Sequence, residues 1–220
     1  MYIGENISTL YSEVRPNDTV AFALDKINEL HFHQLPVVKG KEYLGLITEE
    51  DLLSSEDEDT LIKELKLNFP FIYLYDYQHI YDALQYLETY QFDLLPIVNK
   101  QKEYVGVITQ MDLLKAVNQT ISNQDKGAII VLEMEDRDNS LTHVAHIIES
   151  ENTKILSTGI RPIENSTKVE LTIKVNKNNI SSVLASLWRH DYVVKASFND
   201  GSDQNDIQER YNLLMNYLNI

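Results

Sequence analysis

The chain of 220 residues contains no cysteine. That excludes disulfides, thiolate metal sites and a cysteine nucleophile, and it fits a reducing cytoplasm. Glycine is scarce as well. Its seven residues stand singly, with no Gly-rich phosphate loop, dinucleotide fingerprint or Gly-x-Ser-x-Gly turn. No stretch approaches the ~18 consecutive apolar residues of a membrane span. The opening MYIGENISTL has neither a basic start nor an apolar run, so no signal peptide is expected. Positive charge is also short: 19 Lys and Arg face 34 Asp and Glu, for a formal net charge of −15. Such a field repels phosphate backbones and anionic lipids, so neither nucleic acid nor a membrane is an expected partner.

What the chain does have is one pattern written twice. Leu35-Pro36-Val37-Val38 recurs 60 positions on as Leu95-Pro96-Ile97-Val98. Tyr43-x-Gly45-x-Ile47-Thr48 recurs 61 positions on as Tyr104-x-Gly106-x-Ile108-Thr109, so one residue is inserted between the blocks. The period is too long for a solenoid unit and suits two copies of a small α/β module. Upstream, Val20, Ala23, Leu24, Ile27 and Leu30 repeat as Ile80, Ala83, Leu84, Leu87 and Tyr90. Each set is the apolar face of an amphipathic helix. Each unit therefore reads as a lead-in, helix, strand, turn, strand and helix. The acidic run Ser54–Thr60 between copies reads as a solvated loop. In the second lead-in, Tyr73, Tyr75 and Tyr77 alternate as the tyrosine-bearing face of a strand.

After Asn123 the pattern changes. Gly127–Glu135, Lys154–Ile160, Lys168–Val175 and Tyr192–Phe198 are strand-like. Leu141, Val144, Ala145 and Ile148 form one helical stripe, and Ile180, Val183, Leu184 and Leu187 another. The order βαββαβ is that of a ferredoxin-like split unit. In the tail, Ile207, Tyr211, Leu214 and Leu218 share a helical stripe. The expected organisation is repeat 1 over 1–60, repeat 2 over 61–124, the ferredoxin-like unit over 127–199 and a helical tail over 203–220.

The two blocks, with Gly45–Leu53 and Gly106–Leu114, resemble the CBS repeat. The resemblance covers about residues 1–122 and is met twice in register. It implies an α/β (α+β) fold in which two pseudo-symmetric repeats form one pair. The C-terminal part resembles an ACT domain, and the order CBS–CBS–ACT is similar to the AcuB-like acetoin-utilisation proteins. The resemblance also implies a homodimer that binds an adenosine-type ligand in clefts between repeats and signals to a partner protein. AMP, ATP and S-adenosylmethionine are the candidates. No catalytic residues, metal or required cofactor are expected.

The candidate ligand residues are Thr48 with Asp51 and Thr109 with Asp112. In the family this aspartate holds ribose hydroxyls and the threonine lies near the phosphate. A carboxylate can accept from two vicinal hydroxyls, and a helix N-terminus offers free N–H groups to an anion. The same Thr-x-x-Asp spacing is close to a capping box, so a purely structural homodimer with empty clefts stands as the alternative. Pro36 and Pro96 suit the first residue of a strand, and the family implies that backbone near them lines the base pocket. Glu50 beside Asp51 repels a phosphate, whereas Met111 beside Asp112 does not, so the second motif is the better anion candidate. His31-x-His33 lacks a third metal ligand and reads as surface histidines. Asp136–Ser140 lacks the Gly or Pro of amino-acid-binding ACT turns.

Overall fold

The computed structural model describes residues 1–8, 12–138 and 140–198. The expected tail helix over 203–220 lies outside them. The chain divides into two compact units, Met1–Val117 and one beginning at Asn118.

In the first unit, repeat 1 contains α1 (Val20–Leu30), β1 (Gln34–Lys39), β2 (Glu42–Thr48) and α2 (Glu49–Leu53). Repeat 2 contains β3 (Leu74–Tyr75), α3 (Ile80–Tyr90), β4 (Leu94–Val98), β5 (Tyr104–Thr109) and α4 (Gln110–Thr120), the last of which runs past the unit's end at Val117. The copies share their irregularities. β1 pairs β2 and β4 pairs β5 antiparallel, with a bulge at Val37/Val38 in one and at Ile97/Val98 in the other. α1 and α3 both close on a left-handed residue, His31 and Gln91, which satisfies the last helical carbonyls.

The lead-ins cross over. Residues 1–8 hydrogen-bond to repeat 2: Ile3 N–H to Gln78 O at 2.9 Å, Gly4 N–H to Asp76 O at 2.8 Å and Ser8 N–H to Val107 O at 2.8 Å. Residues 62–68 return the exchange. Ile62 N–H donates to Asp18 O at 2.9 Å and Lys63 N–H to Pro16 O at 2.9 Å. Leu46 and Asn68 trade both backbone bonds, at 2.8 and 3.0 Å. Burial of Ile3 in the repeat 2 core and of Ile62 in the repeat 1 core makes the exchange part of folding. Two glycines let it happen. A Cβ on Gly45 would stand 2.7 Å from Asn68 O, and one on Gly106 would stand 2.5 Å from Ile7 Cγ2.

Two sequence expectations need amending. Pro36 and Pro96 each stand third in their strands, not first. Val14 N–H donates to Pro36 O at 2.9 Å and Val38 N–H to Val14 O at 2.9 Å. The missing Pro36 N–H thus falls at the end of a short parallel bridge, where no ladder is broken. The second lead-in forms only the two-residue strand Leu74–Tyr75. Its tyrosines do share a face: the Tyr73 and Tyr75 rings meet edge-on at 5.7 Å, and Tyr75 stacks on Tyr77 at 5.1 Å.

The second unit holds β6 (Ile129–Glu135), α5 (Leu141–Ser150), β7 (Ile155–Pro162), β8 (Lys168–Val175), α6 (Ser181–Arg189) and β9 (Val193–Phe198). The sheet order is β7-β8-β6-β9, with every pair antiparallel. That is the ferredoxin-like topology. Val144, Ile148, Val183 and Leu187 pack on Ile130, Leu132, Leu171 and Ile173 of one sheet face. The sheet also carries a charged cluster, because alternate residues along β8 point to opposite faces. Glu170, buried there, accepts from both Lys195 and Arg161, and Lys168 pairs with Glu133 at 2.6 Å.

Hydrogen bonds from Lys195 and Arg161 hold the Glu170 carboxyl below its ordinary 4.5. A depressed folded value stabilises above the unfolded value and is lost as pH falls through the folded one. Acid unfolding of this unit is therefore expected to steepen below pH 4.5. Glu170→Gln should be weaker at neutral pH yet flatter in acid, read as urea midpoint against pH. A variant midpoint that falls as steeply as the parent's would remove Glu170 as the cause.

Candidate functional site

Both Thr-x-x-Asp motifs sit at the step from the second strand of a hairpin into a helix. Thr48 ends β2 and caps α2. Its Oγ1 donates to Asp51 Oδ2 at 2.7 Å and accepts the Asp51 N–H at 3.1 Å, while its own N–H reaches Asp51 Oδ2 at 3.0 Å. Thr109 and Asp112 repeat the pattern at 2.6, 3.1 and 3.2 Å. These are reciprocal capping boxes, which satisfy helix N–H groups left without intrahelical partners.

Beyond the caps the two carboxylates differ. Asn68 Nδ2 donates to Asp51 Oδ1 at 3.1 Å and to Oδ2 at 2.9 Å. Both oxygens of Asp51 are thus engaged by the chain itself. The position matching Asn68 in repeat 2 is Ser8, which bonds Val107 as Asn68 bonds Leu46. A serine cannot supply the same amide fork. Asp112 Oδ1 instead faces the Lys115 ammonium at 4.0 Å, and the Asp112 side chain is 22% exposed. The inequality expected from Glu50 and Met111 has a further physical source in Asn68, a residue that neither motif contains.

Two lysines of the hairpin turns are engaged elsewhere. Lys41 pairs with Glu103 at 3.2 Å, and Lys100 lies 5.6 Å over the Tyr77 ring. The matching residues His33 and Asp93, one from each repeat, meet directly: His33 N–H reaches Asp93 Oδ2 at 2.8 Å and His33 Nδ1 approaches it at 2.9 Å. The Asp93 hydrogen bond and charge raise the His33 pKa. His33 is therefore a link between repeats. In the second unit His143 Nδ1 meets the Tyr192 hydroxyl at 2.7 Å, and Glu151 accepts from Ser186. Among the described residues no three His, Asp or Glu side chains converge as a metal site. Asp136–Asp138 is a 3-10 turn.

Two buried polar atoms, Ser12 Oγ and Gln34 Nε2, have no hydrogen-bond partner among the described residues. Their residues are 0% and 3% exposed. The matching positions in repeat 2 are Ile72 and Leu94, both core residues. Ser12 lies beside the Tyr104 phenol without making a hydrogen bond of good geometry; burial, foremost, and the Glu13 charge push that phenol up. An unsatisfied buried polar group costs about 1–3 kcal/mol, so repeat 1 bears a cost that repeat 2 avoids. Comparing residues 60 apart would have exposed both positions in the sequence.

Among the described residues no helix is long and apolar enough to cross a membrane. The CBS domain family model matches residues 13–58 and 62–119. An inosine-5'-monophosphate dehydrogenase of Methanocaldococcus jannaschii is 29% identical over 120 residues, 54% of this chain and 24% of that protein. One of Korarchaeum cryptofilum is 25% identical over 113 residues, 51% of this chain and 24% of that protein. The chain thus spans about a quarter of the length of either relative. A crystal structure of a CBS domain pair/ACT domain protein from Thermotoga maritima is 22% identical. It covers 54% of this chain and 98% of its own, with a TM-score of 0.50. That likeness concerns the fold alone. Residues 13–58 and 62–119 are thus two CBS domains, and the two repeats form a CBS pair.

Proposed function

We propose that the pair is a non-catalytic regulatory module that takes one adenosine-type ligand on the repeat 2 side. Asp112 accepts the ribose hydroxyls, Thr109 stands near the phosphate, and backbone near Pro96 and Pro36 borders the base. Thr48 and Asp51 remain a helix cap. The observation that carries this reading is the inequality of the carboxylates: Asn68 occupies both oxygens of Asp51, whereas Asp112 Oδ1 faces Lys115. AMP, ATP and S-adenosylmethionine are the candidate ligands. The chain works in the cytoplasm as a homodimer, and ligand binding biases the relative position of the repeats for a partner protein to read.

The completeness of both capping boxes without a ligand favours a second reading, a structural homodimer with empty clefts. Thermal unfolding with each of the three compounds separates them. The regulatory reading expects at least one compound to raise the midpoint, Asp112→Ala to abolish the rise and Asp51→Ala to keep it. No rise with any compound, and no nucleotide in mass spectra of denatured protein, would leave the structural reading standing.

A further inference from the structure

The turn end of repeat 1 carries a feature that the nucleotide reading does not use. A cavity of about 710 Å³ opens between the lead-in and the β1–β2 turn, lined by Arg15, Pro16, Lys39, Leu44 and Lys63 among others. Three cations around one cavity are unusual in a chain with 34 acidic residues against 19 basic ones. Six other cations, Lys41, Lys115, Arg161, Lys168, Arg189 and Lys195, pair with carboxylates. Among the described residues no carboxylate lies within 4.0 Å of the Arg15, Lys39 or Lys63 charges. Lys63 Nζ reaches only the neutral Asn17 Oδ1, at 3.3 Å. Asp18 and Glu42 also border the cavity, so its lining carries one net positive charge, with one Asp18 oxygen turned to the Arg15 N–H at 2.7 Å.

The second repeat serves as an internal comparison. Arg15, Pro16 and Lys39 correspond to Tyr75, Asp76 and Asn99. Lys63 corresponds to Gly4, since Lys63 N–H bonds Pro16 O as Gly4 N–H bonds Asp76 O. Over the whole lining, repeat 1 sets Arg15, Lys39 and Lys63 against Asp18 and Glu42, whereas the matching places of repeat 2 set one cation, Lys100, against Asp76 and Glu103. Framework needs alone do not explain the difference, because the frame forms equally well with both sets. The site is also remote from the Thr-x-x-Asp steps. Thr48 pairs with Gln34 at the start of β1 and Glu42 with Lys39 at its end, about 16 Å apart along the strand.

We propose that this cavity is an anion site for a phosphorylated small molecule, with Arg15, Lys39 and Lys63 converging on its phosphate groups. Arginine supplies the planar fork that matches a phosphate, and the two lysines supply mobile point charges. The size of the cavity fits a ligand larger than a free phosphate ion. Its open, exposed cations make the affinity salt-dependent. The proposal does not rest on occupancy of the Asp112 cleft.

The probe is pyrophosphate, titrated into the full chain by calorimetry, with inorganic phosphate as the smaller anion and sodium chloride as the screen. Expected are saturable pyrophosphate binding that weakens with salt, weaker binding of phosphate, and a loss of at least about tenfold in R15Q/K39Q/K63Q. All three positions are exposed, so the variant keeps its fold and its thermal midpoint checks that. Asp112→Asn should bind pyrophosphate as the parent does. No pyrophosphate heat at millimolar concentrations, unchanged binding in the triple variant, or loss of binding in Asp112→Asn would each overturn the site; the last would place the anion in the other cleft.

Discussion

Gly45→Ala is expected to destabilise the first unit by about 3 kcal/mol or more, whereas Gly106→Ala costs less and is partly rescued by shortening Ile7. Both glycines hold a positive φ, 153° and 147°, that L side chains rarely adopt. That conformational cost is common to the pair. The difference lies in what the new methyl meets. At Gly45 it meets the Asn68 carbonyl oxygen at 2.7 Å, and that oxygen already accepts the Leu46 N–H at 2.8 Å. Relief requires the crossing segment to withdraw, which breaks the paired Leu46–Asn68 bonds and pulls Asn68 Nδ2 from Asp51. At Gly106 the methyl meets Ile7 Cγ2 at 2.5 Å, the branch of a side chain. Ile7→Ala removes that atom, so the Gly106→Ala/Ile7→Ala pair should be more stable than additivity predicts. Denaturant midpoints of the four proteins decide it. Equal losses at the two glycines, or additive behaviour of the pair at Gly106, would show that the crossing segments do not press on the strands as the geometry requires.

The doubled architecture was legible because it is written in short-range signals. The apolar face from Val20 to Leu30, the Leu-Pro strands and the Thr-x-x-Asp steps each act within one element. Their offset of 60 then places two elements in equivalent settings. The split βαββαβ unit was readable for the same reason: Val169, Leu171, Ile173 and Val175 alternate inward along β8, and periodicity reports that directly. The crossing lead-ins were not readable. Ile3 sits in the short opening Met1-Tyr2-Ile3-Gly4, and nothing local says that it is buried in repeat 2 rather than in the repeat that follows it. The partner of a short bridge such as Leu46 with Asn68 is set by tertiary closure, to which sequence pattern is blind. The second tyrosine-rich lead-in shows the opposite error. Its alternation is real, but a strand needs a partner along its length, and only Leu74 and Tyr75 find one, on Ile97 and Val98.

Of the candidate site, the sequence held the two capping aspartates but not what distinguishes them. Glu50 and Met111 pointed to unequal copies through charge alone. Asn68 acts through a specific amide fork from 17 residues away, and only three-dimensional closure brings it to Asp51. The ordering of the copies nevertheless carries a sharp consequence.

Asp51→Ala is expected to cost the first unit about 3 kcal/mol and Asp112→Ala only about 1 kcal/mol in the absence of ligand. Each loses a capping box, worth about 1 kcal/mol. Asp51 alone also leaves the Asn68 amide without its two acceptors, at 3.1 and 2.9 Å, and a hydrogen bond to a charged group contributes about 1.5–3 kcal/mol. Asp112 forfeits a Lys115 contact at 4.0 Å, with the lysine side chain 67% exposed, and such a surface pair is worth about 0–1 kcal/mol. Ligand reverses the importance of the two residues. At one hundred times its Kd, a ligand of the native state adds about 2.7 kcal/mol. The parent and Asp51→Ala should both gain that increment, and Asp112→Ala should gain none of it. Asn68→Ala completes the set: it should lose stability nearly as Asp51→Ala does, yet free an aspartate in the first cleft and raise the stoichiometry towards two ligands per chain. Denaturant curves with and without the compound that raises the thermal midpoint, together with calorimetric stoichiometry, measure all four proteins. If Asp51→Ala and Asp112→Ala lose equal stability without ligand, the Asn68 fork is not an energetic feature. If they lose the ligand increment equally, the two clefts are not divided between a cap and a binding site.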